Sequence, residues 1–227
     1  MGDYLGWNKY YDLHLTEKQI NHEKYKKEVG GDWEVIGNLQ FQFLVKNGLL
    51  PTHRLLDIGC GSLRAGIHFI KYLNPGHYGG LDVNKSLIKA GQLEIKKTNL
   101  INKNSTLLVD DQFTFTKFHT SFDFAIAHSL FTHLPINLIW RCLINVEKVL
   151  KIDGKIYATF FESKNKFTLD PIKQYPRIIT NFDRDPFHYH LSVFEYMVKD
   201  SSLDLEYIGD WGHPRNQKML CFTKRKE

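Results

Sequence analysis

The feature that most restricts this chain is the stretch Leu55-Leu56-Asp57-Ile58-Gly59-Cys60-Gly61-Ser62-Leu63-Arg64-Ala65-Gly66. A short apolar run, two glycines one residue apart and apolar residues at helical spacing predict a strand, a tight turn and a helix. Gly59 and Gly61 admit a turn that other residues resist, and they leave no side chain in the way of a ligand lying on the backbone. An acid, Asp57, stands just ahead of the turn. Such a unit belongs to an alternating α/β sheet, whose ligands bind beyond the carboxyl ends of the strands.

The rest of the chain alternates in the same way. A helix is expected over 35–47, stopped by Gly48 and Pro51. Strands are expected over 54–58, 78–83, 106–109 and 122–127. Between them come a helix carrying Leu63, Ile67, Ile70 and Leu73 and another capped by Asn84 or Ser86. Pro135 opens a helix with Ile139, Cys142, Leu143, Val146 and Leu150 on one face. Gly154 is expected to turn the chain into a strand over 155–161. A long irregular stretch, 162–190, precedes a helix over 191–199 and a final strand pair, 203–209 and 218–223. The domain reading is an aromatic N-terminal segment, 1–34, followed by one domain over 35–227 with an insertion at about 162–190.

Composition narrows the partners. The chain has 227 residues, 42% hydrophobic and 24% charged, which excludes a disordered polypeptide. Its net charge of +5 suits an anionic small molecule and does not by itself argue for nucleic acid. Cys60, Cys142 and Cys221 lack metal-ligand spacing, so no metal is expected and a reducing, cytoplasmic setting is. The N-terminus lacks a basic and apolar leader, and Gly6 stands where a myristoylation start wants Ser or Thr. No apolar run reaches the length of a membrane span.

The strand ends carry the chemistry. Asp82 closes the second strand, 23 residues after Gly59, where a carboxylate can accept both hydroxyl hydrogens of a ribose. Asp110 and Asp111 follow the third strand; one of them can meet an adenine amino group, with Phe113 packing on the ring. A dinucleotide-dependent oxidoreductase would want a third glycine where Arg64 stands. It would also suffer from Asp57 near a pyrophosphate, whereas Asp57 suits a cationic amino group.

On these residues the chain resembles the class I S-adenosylmethionine-dependent methyltransferases, from about Val35 to the C-terminus. The glycine motif corresponds to Asp57, Gly59 and Gly61, the ribose acid to Asp82, and the adenine-side acid to Asp110 or Asp111. The fourth motif corresponds to Phe122-Asp123-Phe124-Ala125-Ile126-Ala127-His128-Ser129-Leu130. The resemblance implies S-adenosylmethionine as cofactor, with S-adenosylhomocysteine as product. It also implies a Rossmann-like, doubly wound, seven-stranded, mostly parallel sheet with an antiparallel last strand. Backbone groups near Ala127 and His128 would hold the methionyl end; Cys60, Arg64, Val83 and Trp33 are counted with this cofactor site. More narrowly, Ser62-Leu63-Arg64, the stretch 130–134 and His213-Pro214-Arg215 are similar to small bacterial methyltransferases acting on sugars, natural products or phosphorus-containing metabolites.

Methyl transfer asks for alignment and exclusion of water. A hydroxyl acceptor also needs a base, for which His128, His188 and His190 are the candidates. An anionic acceptor needs Arg or Lys instead. Tyr10, Tyr11, Tyr25, Tyr175, Arg177, Tyr189 and Arg215 are the candidates for holding a small-molecule acceptor, and His133 is read as structural. The N-terminal aromatics are expected to fold over the cofactor as a lid, with Gly30-Gly31 as hinge ahead of Trp33. Nucleic-acid base methylation is disfavoured, because Ala127-His128-Ser129-Leu130 offers neither an acid or amide nor the prolines such enzymes carry there. The remaining alternatives are an NAD(P)-dependent oxidoreductase and a cofactor-binding module without catalysis.

Overall fold

The computed structural model describes residues 8–166, 168–174 and 178–226. Its contacts gather into two compact units, residues 9–111 and, in the other, the described residues among 1–8 and 112–227.

In the first unit, three short helices, α1 (Lys9–Asp12), α2 (Glu17–Asn21) and α3 (Lys24–Glu28), precede the longer α4 (Trp33–Lys46). Thr16 opens α2 with a capping box: its side chain accepts from Gln19 N–H and the Gln19 side chain returns to Thr16 N–H. Then follow β1 (Leu55–Ile58), α5 (Gly66–Tyr72), β2 (Tyr78–Asp82), α6 (Lys85–Lys97) and β3 (Thr106–Val109). The strands lie in the order β3-β2-β1, all parallel, with Asp57 opposite Gly80 and Asp82 opposite Val109. All of β1 and β2 is buried, as a parallel strand covered on both faces must be. Asn84 caps α6 by accepting from Ser86 N–H and Leu87 N–H. The N-terminal residues do not stand apart at residue 34. Leu15, Ile20 and Tyr25 pack with Leu87 and Ala90 of α6, and Val29 and Trp33 lie against that cluster.

In the second unit, β4 (Phe122–Ala127) leads to α7 (Ile136–Glu147), opened by Pro135 and burying Ile139, Cys142, Leu143 and Val146. The strand β5 (Leu150–Glu162) is parallel to β4. Next come the small antiparallel pair β6 (Ile172–Gln174) and β7 (Ile178–Thr180), then β8 (His188–Tyr189), α8 (Leu191–Val198), β9 (Leu203–Gly209) and β10 (Lys218–Lys224). The strand β10 lies between β5 and β9 and is antiparallel to both. The fold is therefore the mixed α/β arrangement of the Rossmann-like class, mostly parallel with its last strand reversed.

Two elements differ from the sequence expectation. Gly154 does not start a strand; β5 already runs from Leu150, through a bulge where the register to β4 shifts and Asp153 takes φ 61°. The stretch 162–190 is not structureless. It holds the β6–β7 pair, and β8 extends the sheet by pairing Phe161 with His188 and Glu162 with Tyr189.

Candidate active site

The glycine turn is fixed from both ends by β2. Gly59 N–H and Cys60 N–H donate to Leu81 O at 2.8 and 3.1 Å, and Gly61 N–H donates to Asp82 Oδ2 at 2.8 Å. Gly59 and Gly61 sit at φ 74° and 55°, conformations that glycine alone enters without penalty. Asn84 N–H takes the other oxygen, Asp82 Oδ1, at 2.8 Å. A carboxylate has about four acceptor positions. These two bonds orient Asp82 and leave capacity for two further donors, such as the hydroxyls of a ribose. Burial pushes the Asp82 carboxyl up to about 6, against the pull of the Asn84 and Gly61 amides.

Asp57 is buried one strand away and accepts Tyr78 Oη at 2.7 Å through its Oδ2. A Cβ at position 66 would come within 2.6 Å of that Tyr78 oxygen, so Gly66 is what admits the phenol. Burial pushes Asp57 up to about 7; the Tyr78 hydrogen bond and Arg64 counter this, while Asp82 adds to it. A cationic, hydroxyl-bearing ligand set against these two buried carboxylates would lower both values. Burial also pushes the Cys60 thiol well above its usual value, so this cysteine packs rather than reacts. Ser62 is fully buried in the same turn, and among the described residues its hydroxyl has no hydrogen-bond partner. A ligand group there would satisfy it. These features fit an adenosyl sulfonium with a free amino group.

Asp110 is buried and its N–H donates to Asp82 O at 3.1 Å, whereas Asp111 faces solvent. Val83 follows Asp82 in the bend before α6. Arg64 donates from Nη1 to Val29 O at 2.9 Å and Gly31 O at 3.2 Å, tying the N-terminal segment to the glycine turn. Tyr10 reaches the site through its backbone, its carbonyl accepting Asn84 Nδ2 at 2.7 Å. Tyr11 is half-buried in α1. Tyr25 is not presented to a ligand: it is fully buried, edge-on to Trp33, with its hydroxyl on the Glu94 carboxylate. Trp33 is half-buried beneath Lys26 Nζ, 5.4 Å from its ring centre.

The second unit absorbs several acceptor-side candidates into its own framework. His188 is buried, with Nδ1 3.0 Å from Thr180 Oγ1. Tyr189 donates to Leu134 O at 2.5 Å and packs beside Phe187 and Phe194. His190 caps α8 by accepting Ser192 N–H at 3.1 Å, and it borders an open cleft of about 690 Å³ with Lys164, Lys166 and Asp170. His133 pairs with Asp185. Tyr175 and Arg177 lie outside the described residues. Phe113 is buried near Phe115.

At the carboxyl end of β4, Ala127 is fully buried and His128 joins a cluster. Its ring centre lies 5.1 Å from that of His213 and 5.8 Å from Trp211. Below it, Gln217 Oε1 accepts Thr159 Oγ1 at 2.7 Å and Ser129 Oγ at 3.0 Å. Arg215 enters through its backbone, donating to His213 Nδ1 at 3.1 Å. Sequence reasoning named the stretch Trp211-Gly212-His213-Pro214-Arg215, with Arg215 as a substrate ligand, and passed over Gln217. The one available signal was a polar, aromatic loop longer than its two antiparallel strands require. Among the described residues, no group of three or more His, Cys, Asp or Glu is placed to hold a metal ion.

Residues 56–156 match the family model described as a methyltransferase domain. The fold matches the magnesium protoporphyrin IX methyltransferase ChlM of Synechocystis PCC 6803, crystallised with S-adenosylmethionine. The TM-score is 0.63 at 13% identity, over 93% of this chain and 99% of that one. It also matches an S-adenosylmethionine-dependent methyltransferase from Clostridium acetobutylicum ATCC 824, with TM-score 0.65 and 12% identity over 92% and 99% of the two chains. CalS10, an amino pentose methyltransferase from Micromonospora echinaspora, gives TM-score 0.63 and 12% identity over 93% and 98%. The neighbours speak to the fold and the domain match to the activity. The match over residues 56–156 is to a methyltransferase domain, and the fold is the one that S-adenosylmethionine-dependent methyltransferases share. Among the described residues, no helix is long and apolar enough to cross a membrane.

Proposed function

We propose that this enzyme transfers a methyl group to an oxygen of a small polar metabolite, such as a sugar, a natural product or a phosphorus-containing compound, in the cytoplasm. The observation that carries the cofactor half is the buried Asp82 carboxylate, oriented by the Gly61 and Asn84 amides with acceptor capacity left over. Asp82 holds the ribose, Asp57 the amino group, Asp110 the adenine edge, and Gly59 to Gly61 line the backbone side. When bound, S-adenosylmethionine supplies an electrophilic methyl group on a positively charged sulfur. The residues of the chain then have two tasks, to exclude water and to take the acceptor's proton. His128 takes the proton, supported by its place in a buried imidazole and indole cluster just past β4. The N-terminal segment, 1–34 in the sequence reading, covers the cofactor as a lid, held to the glycine turn by the Arg64 bonds to Val29 and Gly31.

Mass spectrometry of ligands retained on purification, followed by transfer of labelled methyl into cell-extract small molecules, tests this reading. Retained S-adenosylhomocysteine and a labelled small molecule are expected. A retained nicotinamide dinucleotide overturns it. The His128→Ala variant is expected to lose turnover by about 100-fold or more while binding S-adenosylhomocysteine as before. Unchanged turnover removes His128 as the base.

A further inference from the structure

The helix α7 buries one side, through Ile139, Cys142, Leu143 and Val146, and presents an apolar row on the other. Ile136, Trp140 and Ile144 follow one another at four-residue steps, which sets them along a single ridge of the helix. All three are exposed, by 47%, 38% and 47%. Beside the row stands α8, whose Tyr196 is 66% exposed and meets Trp140 edge-on, with ring centres 5.8 Å apart. Two isoleucines and two large aromatics therefore form one connected apolar face within the second unit, not scattered single residues.

The order of the row selects its occupant. In either direction from Trp140, the next residue on the ridge is isoleucine. A second α7 laid antiparallel across the first meets the same row, with Ile136 against Ile144 and Trp140 against Trp140. That self-matching is what an isologous two-fold contact requires. The charges beside the row agree. Arg141 stands on the flank away from α8, donating from Nη1 to the neutral Gln112 Oε1 at 2.8 Å, and Glu195 stands on α8 itself. Both are exposed, and among the described residues neither forms an ion pair. A two-fold axis through Trp140 exchanges the flanks, so Arg141 of each copy comes to the side where Glu195 of the other stands.

We propose that two copies of this chain join at this face, through antiparallel α7 helices centred on Trp140 and bordered by pairs of Arg141 with Glu195. Trp, Tyr and Arg are the residue types enriched among those that carry the binding energy of such contacts. The row runs roughly 12 Å along the helix, short of a standard interface, so the dimer is reversible and forms at about 10 µM. Burial of the Trp140 and Tyr196 rings supplies the attraction, and the charge pairs fix the antiparallel sense.

Sedimentation velocity of the full chain, from about 1 to about 200 µM, tests this. The wild type is expected to pass from monomer to dimer across that range. A monomer throughout overturns the proposal, whatever else the face binds. Trp140→Lys is expected to weaken the dimer about 30-fold or more, with the circular dichroism spectrum and S-adenosylhomocysteine affinity unchanged. A dimer of wild-type strength in that variant shows that the copies meet elsewhere and also overturns the proposal. A charge exchange keeps the test open should Trp140→Lys fail to fold. Arg141→Glu and Glu195→Arg each set like charges against one another and are expected to weaken the dimer about fivefold. An equal mixture of the two is expected to recover it, because in the mixed dimer both pairs again join opposite charges. A mixture no stronger than either variant alone overturns the antiparallel contact.

Discussion

The acids of residues 57–82 and the histidines and tyrosine of residues 188–190 are polar groups set at strand ends, and the fold treats them in opposite ways. Asp82 receives two backbone amides and Asp57 one phenol, yet both remain above the ordinary carboxylate range, near 6 and 7. His188, Tyr189 and His190 are engaged by Thr180, Leu134 and Ser192, and they close the second unit around α8. The difference teaches where binding energy can come from. A buried acid under strain gains from a ligand, whereas a group already satisfied by its framework has little left to offer.

The largest expected effect is at Asp82. Asp82→Ala should weaken S-adenosylhomocysteine binding by about 100-fold or more, ~3 kcal/mol, measured by calorimetry. Near wild-type affinity would break the contrast at its strongest point. Asp57→Asn comes next and acts on two readouts. Its folded value lies above the unfolded one, so the folded state holds an extra proton between about pH 4 and 7. The associated stability is present at low pH and is lost as pH rises through 7. The asparagine variant should therefore unfold later than wild type at pH 8 without ligand, by about 1–2 kcal/mol. It should also lose the rise in S-adenosylhomocysteine affinity that the wild type shows between pH 6 and 8. A variant less stable than wild type at pH 8 would show that Asp57 is not a strained acid. The smallest effect belongs to the other region. Tyr189→Phe should cost about 1 kcal/mol in denaturant unfolding and leave cofactor affinity unchanged.

The same contrast governs what the sequence discloses. Asp57, Gly59, Gly61 and Asp82 are legible because a strand, a turn and the next parallel strand impose their spacing locally. What separates Asp110 from Asp111 is burial and the Asp110 amide on Asp82 O, neither of which a local pattern shows. The bulge in β5 is invisible locally, since Gly154 looks like a turn and only pairing with β4 shows that the strand began at Leu150. The strands β6, β7 and β8 are too short to leave a periodic signal. The pairing of His213 with His128 could not be read, because His128 lies far earlier in the chain and only the sheet unites them.

Asn84 meets demands that no other residue type can satisfy together. Its Oδ1 accepts the first amides of α6, its N–H steadies Asp82, and its Nδ2 donates to the carbonyls of Tyr10 and Leu13 at 2.7 and 2.6 Å. Aspartate would keep the helix start yet turn a negative oxygen toward two carbonyls, prising the first helices away while α6 stays wound. Serine would keep the start and drop the tether. This amide is thus a mechanical coupling: a pull on the first helices reaches, through one side chain, the acid proposed to meet the sugar of the cofactor.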